Sequence, residues 1–161
     1  MTILAPPAAG FEGTAQIVVI GAGACGMVAA LAAEGDGGEV VVLERDAVPS
    51  GSTALSSGLI PACATAAQKA RGVTDDAATM AADILAKAHG ETDVAMVAHL
   101  CRQSTVTIDW LNSHHGLGLD VIDSFLYPGH SAYRMHGTPS RTGGELIGAL
   151  TRAVAAAEVP I

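Results

Sequence analysis

Three glycines and one carboxylate carry the most legible chemistry in this chain. Gly21-Ala22-Gly23-Ala24-Cys25-Gly26 has the G-x-G-x-x-G spacing, and Glu44 closes the next apolar run. A turn of this kind offers bare backbone to a diphosphate. Gly21 permits the tight turn, Gly23 lets the phosphates approach the main chain, and Gly26 lets the following helix pack close to the strand. The phosphates then lie at the positive end of that helix. A carboxylate at Glu44 accepts hydrogen bonds from both ribose hydroxyls and favours a cofactor with a free diol; Arg45 beside it is of the type that holds a 2′-phosphate. The spacing alone arises by chance in a chain rich in glycine and alanine. Its context, with a strand before, a helix after and an acid at the second strand's end, separates a dinucleotide site from a turn that binds nothing.

The elements that must position these residues form a βαβ unit. Residues 16–20 read as a strand buried on both faces of a parallel sheet, residues 27–34 as a helix, and residues 39–44 as the second strand, with Gly35-Asp36-Gly37-Gly38 turning between them. The fold class predicted is therefore α/β, a Rossmann-like parallel sheet with helices. Residues 46–61 are too apolar for a linker and too rich in serine and glycine for a regular element. They suit a loop that wraps a ligand, with hydroxyls and amides at Ser52, Thr53, Ser56 and Ser57 as donors and Gly58 leaving room for a flat ring. An ordinary surface loop is the competing reading.

Farther along, Thr74 is placed to cap a helix with Asp75 and Asp76 in its first turn and a stripe of Met80, Ala81, Ile84, Leu85 and Ala88. Asp93 opens another helix, with Val94, Val97, Cys101, Ser104, Ile108 and Leu111 on one face, ending at His114-His115-Gly116 as a solvated helix end. Residues 117–140 read as irregular. In them His130, Arg134 and His136 are able either to bind an anion and move a proton or to tie down the loop through backbone hydrogen bonds. Thr142 to Glu145 has capping-box spacing, Leu146, Ile147, Leu150 and Val154 give the last helix its apolar side, and a new strand starts at Val159.

Composition narrows the partners. The 161 residues are one domain's length, with 50% hydrophobic but only 3% aromatic side chains, so the core is built from Ala, Val, Leu and Ile. A net charge of −8 with eight lysines and arginines excludes the basic face that nucleic acid requires. Cys25, Cys63 and Cys101 lack metal or disulfide spacing and read as small buried residues of a reducing compartment; no metal site is expected. The uncharged run 17–33 contains three glycines and falls short of the roughly twenty apolar residues of a membrane span. A cytoplasmic location is the default, and residues 1–15, with Pro6, Pro7 and Gly10, read as a loose lead-in.

With these residues laid out, the chain resembles the amino-terminal part of the fumarate reductase and succinate dehydrogenase flavoproteins, most of all the flavocytochrome c-type fumarate reductases and the 3-ketosteroid dehydrogenases. The resemblance runs through the glycine turn, Glu44, Ser52-Thr53-Ala54-Leu55-Ser56-Ser57-Gly58, Gln68-Lys69-Ala70, Ile108-Asp109-Trp110-Leu111, and Arg134 and His136 ahead of Gly143-Gly144. It implies an FAD-dependent oxidoreductase acting on a small-molecule substrate, with hydride transfer between flavin and an activated carbon–carbon bond. The implied cofactor-binding set is Gly21, Ala22, Gly23, Ala24, Gly26, Glu44, Arg45, Ser52, Thr53, Ser57, Gly58 and Leu59. Ser52 stands where members with covalent FAD carry a histidine, which implies non-covalent attachment. Leu59 and Pro61 replace a glycine and a polar residue common in the fumarate reductases, which tells against a dicarboxylate substrate. Family members are several times longer, so residues 16–161 correspond to the amino-terminal part of the FAD-binding domain, without the capping domain or the returning strands. A fragment, a truncated product, and one subunit of a split enzyme completed by a second chain all fit. Two further alternatives are a nicotinamide-binding Rossmann module and a non-catalytic, partner-binding remnant.

Overall fold

The computed structural model describes residues 5–11 and 13–161; residues 1–4 and 12, part of the expected lead-in, lie outside the described residues. In chain order the elements are β1 (Ile17–Ile20), α1 (Ala24–Gly35), β2 (Val40–Leu43), α2 (Gly51–Leu55), β3 (Ile60–Pro61) and α3 (Ala66–Ala70). There follow α4 (Ala77–Ala88), α5 (Val94–His115), β4 (Asp120–Val121), β5 (Met135–Gly137) and α6 (Gly143–Ala156).

The βαβ unit forms as its sequence pattern requires. Strands β1 and β2 are parallel, with Ile17 opposite Val40 and Ile20 opposite Leu43. Alanine and leucine sustain α1, and its buried Met27, Ala30 and Leu31 follow helical spacing. One side of α1 covers Val19 and Val42; the other meets the buried Leu146, Ile147, Leu150 and Val154 of α6, and Ile108 and Leu111 of α5 complete this core. Truncating Leu150, 1% exposed, to alanine is expected to cost about 2–5 kcal/mol through lost transfer energy and the remaining cavity. A smaller cluster of Cys63, Met80, Val97 and Cys101 joins α4 to α5.

Burial of β1 on both faces does not hold. Val18 is 51% and Ile20 86% exposed, and their register partners Val41 and Leu43 continue the same face. Helices cover only one side of this two-stranded sheet among the described residues, whereas a parallel sheet is ordinarily covered on both. A groove of about 840 Å³ opens here, lined by Val18, Val41, Leu43, Phe11 and residues 157–160. Where a new strand is expected at Val159 none is assigned, although Val42 N–H donates to the Pro160 carbonyl at 2.9 Å and so brings this segment beside β2.

Other elements depart from their sequence reading for identifiable reasons. The stretch expected to lack regular structure contains α2, held by tertiary contacts with α6 that override the weak helix propensity of Gly, Ser and Thr. Helix α3 was not anticipated; its signal is the capping box in which Thr65 accepts from Gln68 N while the Gln68 side chain accepts from Thr65 N. Asp76, not Thr74, caps α4, accepting from Thr79 N at 2.7 Å. Asp93 caps α5 as expected, but Val94, in the first turn of the helix, is 61% exposed. The 117–140 stretch contributes β4 and β5, which join β3 in an antiparallel sheet of order β3-β5-β4. His115 is half-buried against Trp110, with ring centroids 4.6 Å apart, rather than solvated. Cys63 and Cys101 are buried, but Cys25 is exposed at the start of α1. Among the described residues, no helix is long and apolar enough to cross a membrane.

Candidate functional site

The glycine turn links β1 to α1, and its three glycines answer to different constraints. Gly21 has φ +98°, a conformation that side chains disfavour, and its N–H donates to Leu43 O at 2.7 Å. A Cβ on Gly26 would collide with the Gly21 carbonyl oxygen, so the first turn of α1 needs a bare backbone to sit against the strand. Gly23 is under neither constraint. Its φ of −73° suits any residue, and a Cβ there would meet only the Thr53 hydroxyl at an ordinary 3.6 Å. The chain itself leaves the space above Gly23 free, which is the cradle a diphosphate requires at the start of a helix.

Glu44 converges on this turn from the end of β2. One carboxylate oxygen accepts from Ala22 N at 2.7 Å and the other from Asp46 N at 3.0 Å. These backbone donors, that of Asp46 foremost, hold its carboxyl below the ordinary glutamate range. The group is thus ionised and oriented, with lone pairs left to accept from a ribose diol. Arg45 points elsewhere: its guanidinium makes two 3.1 Å bonds to Asp46, and its side chain is 89% exposed.

Thr53 comes to the same place from α2, its hydroxyl accepting from Ala24 N at 3.1 Å. Helix α2 is positioned in turn by α6. Gly143 N donates to the Ser56 carbonyl at 2.8 Å, and Cβ atoms at Gly143 or Gly58 would strike the backbone of Thr53 or Thr142. Ser56 Oγ donates to Thr53 O at 2.7 Å and accepts from Gly58 N at 3.0 Å, so Ser56 organises the loop from within. Ser56, expected as a ligand donor, is thus engaged within the chain, and the adjacent glycines 143 and 144 are the sequence signal for the close approach of α6 to α2. Ser52 and Ser57 are exposed, and Leu59 lies farther along, against Gly137. Ala22, Gly23, Ala24, Glu44 and Thr53 are therefore brought together, whereas Arg45 pairs with Asp46, Ser52 and Ser57 are exposed, and Gly58 and Leu59 lie against Thr142 and Gly137.

Two of the polar side chains of the 117–140 stretch, those of Arg134 and His136, are engaged in bonds within the chain. Arg134, 1% exposed, pairs with Asp75 at 2.7 and 2.9 Å and with Asp83. Its guanidinium and the Ser131 N–H hold the Asp83 carboxyl down at about 2. His136 is wholly buried between the Thr65 hydroxyl and the Arg134 carbonyl. His130, half-buried, is held below the usual imidazole range by burial.

Comparison with known proteins identifies the family and the fold. The family model described as FAD binding domain matches residues 16–161. The fumarate reductase (cytochrome) of Shewanella frigidimarina is 32% identical over 136 residues, 84% of this chain and 23% of the relative. The urocanate reductase of Eggerthella lenta is 32% identical over 119 residues, 74% of this chain and 20% of that protein. Among solved structures, the open conformation of a flavocytochrome c3 fumarate reductase superposes with a TM-score of 0.79 at 30% identity, over 94% of this chain and 27% of that one. A 3-ketosteroid-Δ4-(5α)-dehydrogenase from Rhodococcus jostii, at 24% identity and TM-score 0.78, shares the fold over 95% of this chain and 38% of its own. The chain thus spans about a quarter of the length of the relatives it matches. It belongs to the FAD binding domain family, and the cofactor this domain holds is FAD.

Proposed function

We propose that this chain supplies the nucleotide-holding part of an FAD-dependent oxidoreductase that moves a hydride between flavin and an activated carbon–carbon bond of a small-molecule substrate. The observation that carries the reading is the convergence of Glu44, Thr53 and the amides of Ala22 and Ala24 around a Gly23 whose bareness nothing within the chain demands. In this assignment Glu44 accepts from the adenosine ribose, and the first-turn amides of α1 beyond Ala24, whose own N–H is held by Thr53, take the diphosphate with help from the helix dipole. Residues 52–59, reaching from α2 toward β5, flank the remainder. When bound, FAD supplies the hydride chemistry of its isoalloxazine ring. Attachment is non-covalent, in keeping with serine at position 52. The groups that recognise substrate and move its proton come from polypeptide outside these 161 residues, in keeping with the chain's share of its relatives' length.

Titration of the purified chain with FAD, followed by flavin fluorescence, tests the assignment against a parallel titration with NADH. Glu44→Ala is expected to weaken FAD binding by about 1–3 kcal/mol through lost charge-assisted hydrogen bonds. Cys25, exposed in the glycine turn, is expected to be shielded from alkylation by FAD but not by NADH. Unchanged affinity in Glu44→Ala, or equal alkylation with and without FAD, sinks the assignment.

A further inference from the structure

His136 lies outside the nucleotide site, yet its bonds run to the segment on which residues 52–59 end. Its Nδ1 is 2.8 Å from the Arg134 carbonyl, an acceptor, so the Nδ1 proton is placed there by the network. Nε2, 2.8 Å from the Thr65 hydroxyl, is then the acceptor. Thr65 Oγ1 already accepts from Gln68 N at 3.1 Å, which leaves its own proton for the imidazole. The Arg134 carbonyl that takes the Nδ1 proton also takes Ala62 N–H at 3.0 Å, just beyond β3. Within the sheet His136 stands opposite Ile60. The next residue, Gly137, is the seat of Leu59: a Cβ there would come within 2.9 Å of the Leu59 side chain.

Taking residues 52–59 as the cofactor loop, a clause that rests on the function proposed above, we propose that His136 is its positioning residue. As the neutral Nδ1–H imidazole it fixes β3 through Thr65 and the Arg134 carbonyl and so seats Leu59 at the cofactor. The bonding has one polarity throughout, from Gln68 N–H through the Thr65 hydroxyl to Nε2. A proton on Nε2 would face the hydroxyl proton and reverse that polarity.

Burial holds the imidazole below its ordinary value of 6.5. The charged groups near it are Asp109 on α5, whose carboxylate caps Ala66 N, Asp120 on β4, paired with Arg71, and the Arg134 guanidinium, paired with Asp75 and Asp83. With a depressed folded-state value, the contribution is complete above about pH 6.5 and is lost as the pH falls below it. Acid therefore loosens the loop.

The test uses Thr65→Val, Thr65→Ser and His136→Gln, each confirmed folded by circular dichroism. Two readouts are taken from about pH 8 to about pH 5: FAD dissociation constants, and amide exchange at residues 59–62 in the absence of FAD. Thr65→Val and His136→Gln are expected to weaken FAD binding roughly tenfold at neutral pH and to speed exchange at Ala62, while Thr65→Ser retains both properties. His136→Gln is expected to flatten the acid-side loss of affinity that the natural chain shows. Natural affinity in Thr65→Val and His136→Gln, or exchange that rises equally in β1 and α6, overturns the proposal. Failure of the natural chain to bind FAD, with exchange at residues 59–62 still responding to Thr65→Val, overturns the cofactor assignment and leaves His136 as the anchor of this segment.

Discussion

Gly23 and Gly26 are three residues apart in one motif, and the structure separates what they do. Gly26 serves the fold: its missing side chain admits the Gly21 carbonyl. Gly26→Ala is therefore expected to cost about 1–3 kcal/mol, read by urea unfolding, as an overpacked backbone contact. Gly23→Ala is expected to stay within about 0.5 kcal/mol of the natural stability yet to impair FAD binding. The two substitutions thus exchange their effects between an unfolding curve and a binding isotherm, and normal FAD binding by Gly23→Ala would remove the diphosphate from this turn. Arg134 presents a different case. Its type and neighbours left anion binding open, but two carboxylates already hold it. Arg134→Met strands Asp75 and Asp83 without their counter-charge and is expected to cost about 3–5 kcal/mol. The Asp83 carboxyl, held at about 2, gives this cluster a definite acid limit. Its stabilising contribution is intact above the ordinary aspartate value of 3.8 and is lost as the pH falls from there through about 2. Asp83→Asn should flatten that part of the unfolding profile.

Helix ends show how a correct element can have a misplaced boundary. Thr74, Asp75 and Asp76 are all good capping types in succession, and local pattern does not choose among them. The choice is tertiary: Asp75 is drawn into the Arg134 pair, leaving Asp76 to bond Thr79 N. Asp76→Ala is accordingly expected to lower stability by about 1 kcal/mol and Thr74→Ala to leave it unchanged, as followed by thermal unfolding. Helix α6 begins at Thr142 as its capping box predicts, but only half the box forms. Thr142 Oγ1 accepts from Glu145 N, while the Glu145 carboxylate accepts from Ser140 N and its hydroxyl. The same helix start holds α2 through Gly143 and Ser56, so the loop proposed to flank the nucleotide is supported by a helix that begins almost ninety residues later in the chain.

Among the described residues, the molecule has a principal core, a smaller one between α4 and α5, and an uncovered apolar sheet face. Alpha-helices enclose the α1 side of β1 and β2, and the opposite face carries Val18, Ile20, Val41 and Leu43 toward solvent. A contiguous apolar face of this kind drives association. Ile20→Lys, at a position 86% exposed, is expected to reduce light scattering at high protein concentration while changing stability by no more than about 0.5 kcal/mol. A loss of several kcal/mol would mean that this face is packed in solution. Saturating FAD, by binding only the folded chain, is expected to raise the unfolding temperature with ligand concentration.

Much of this protein is local, and most of what is local is legible in its residues, the capped helix α3 excepted. The βαβ unit, the three glycines, Glu44 and the three long helices each rest on interactions within about thirty residues of chain, where periodicity, capping and turn chemistry act directly. What only the folded chain decided joins distant segments: Thr53 on Ala24, Ser56 on Gly143, Arg134 between Asp75 and Asp83, and His136 on Thr65. Exposure of β1 belongs to the same class, because an apolar strand reads alike whether or not a second layer covers it. Burial and partner choice are properties of surfaces brought together in space, and no spacing along the chain encodes which polar group will meet which.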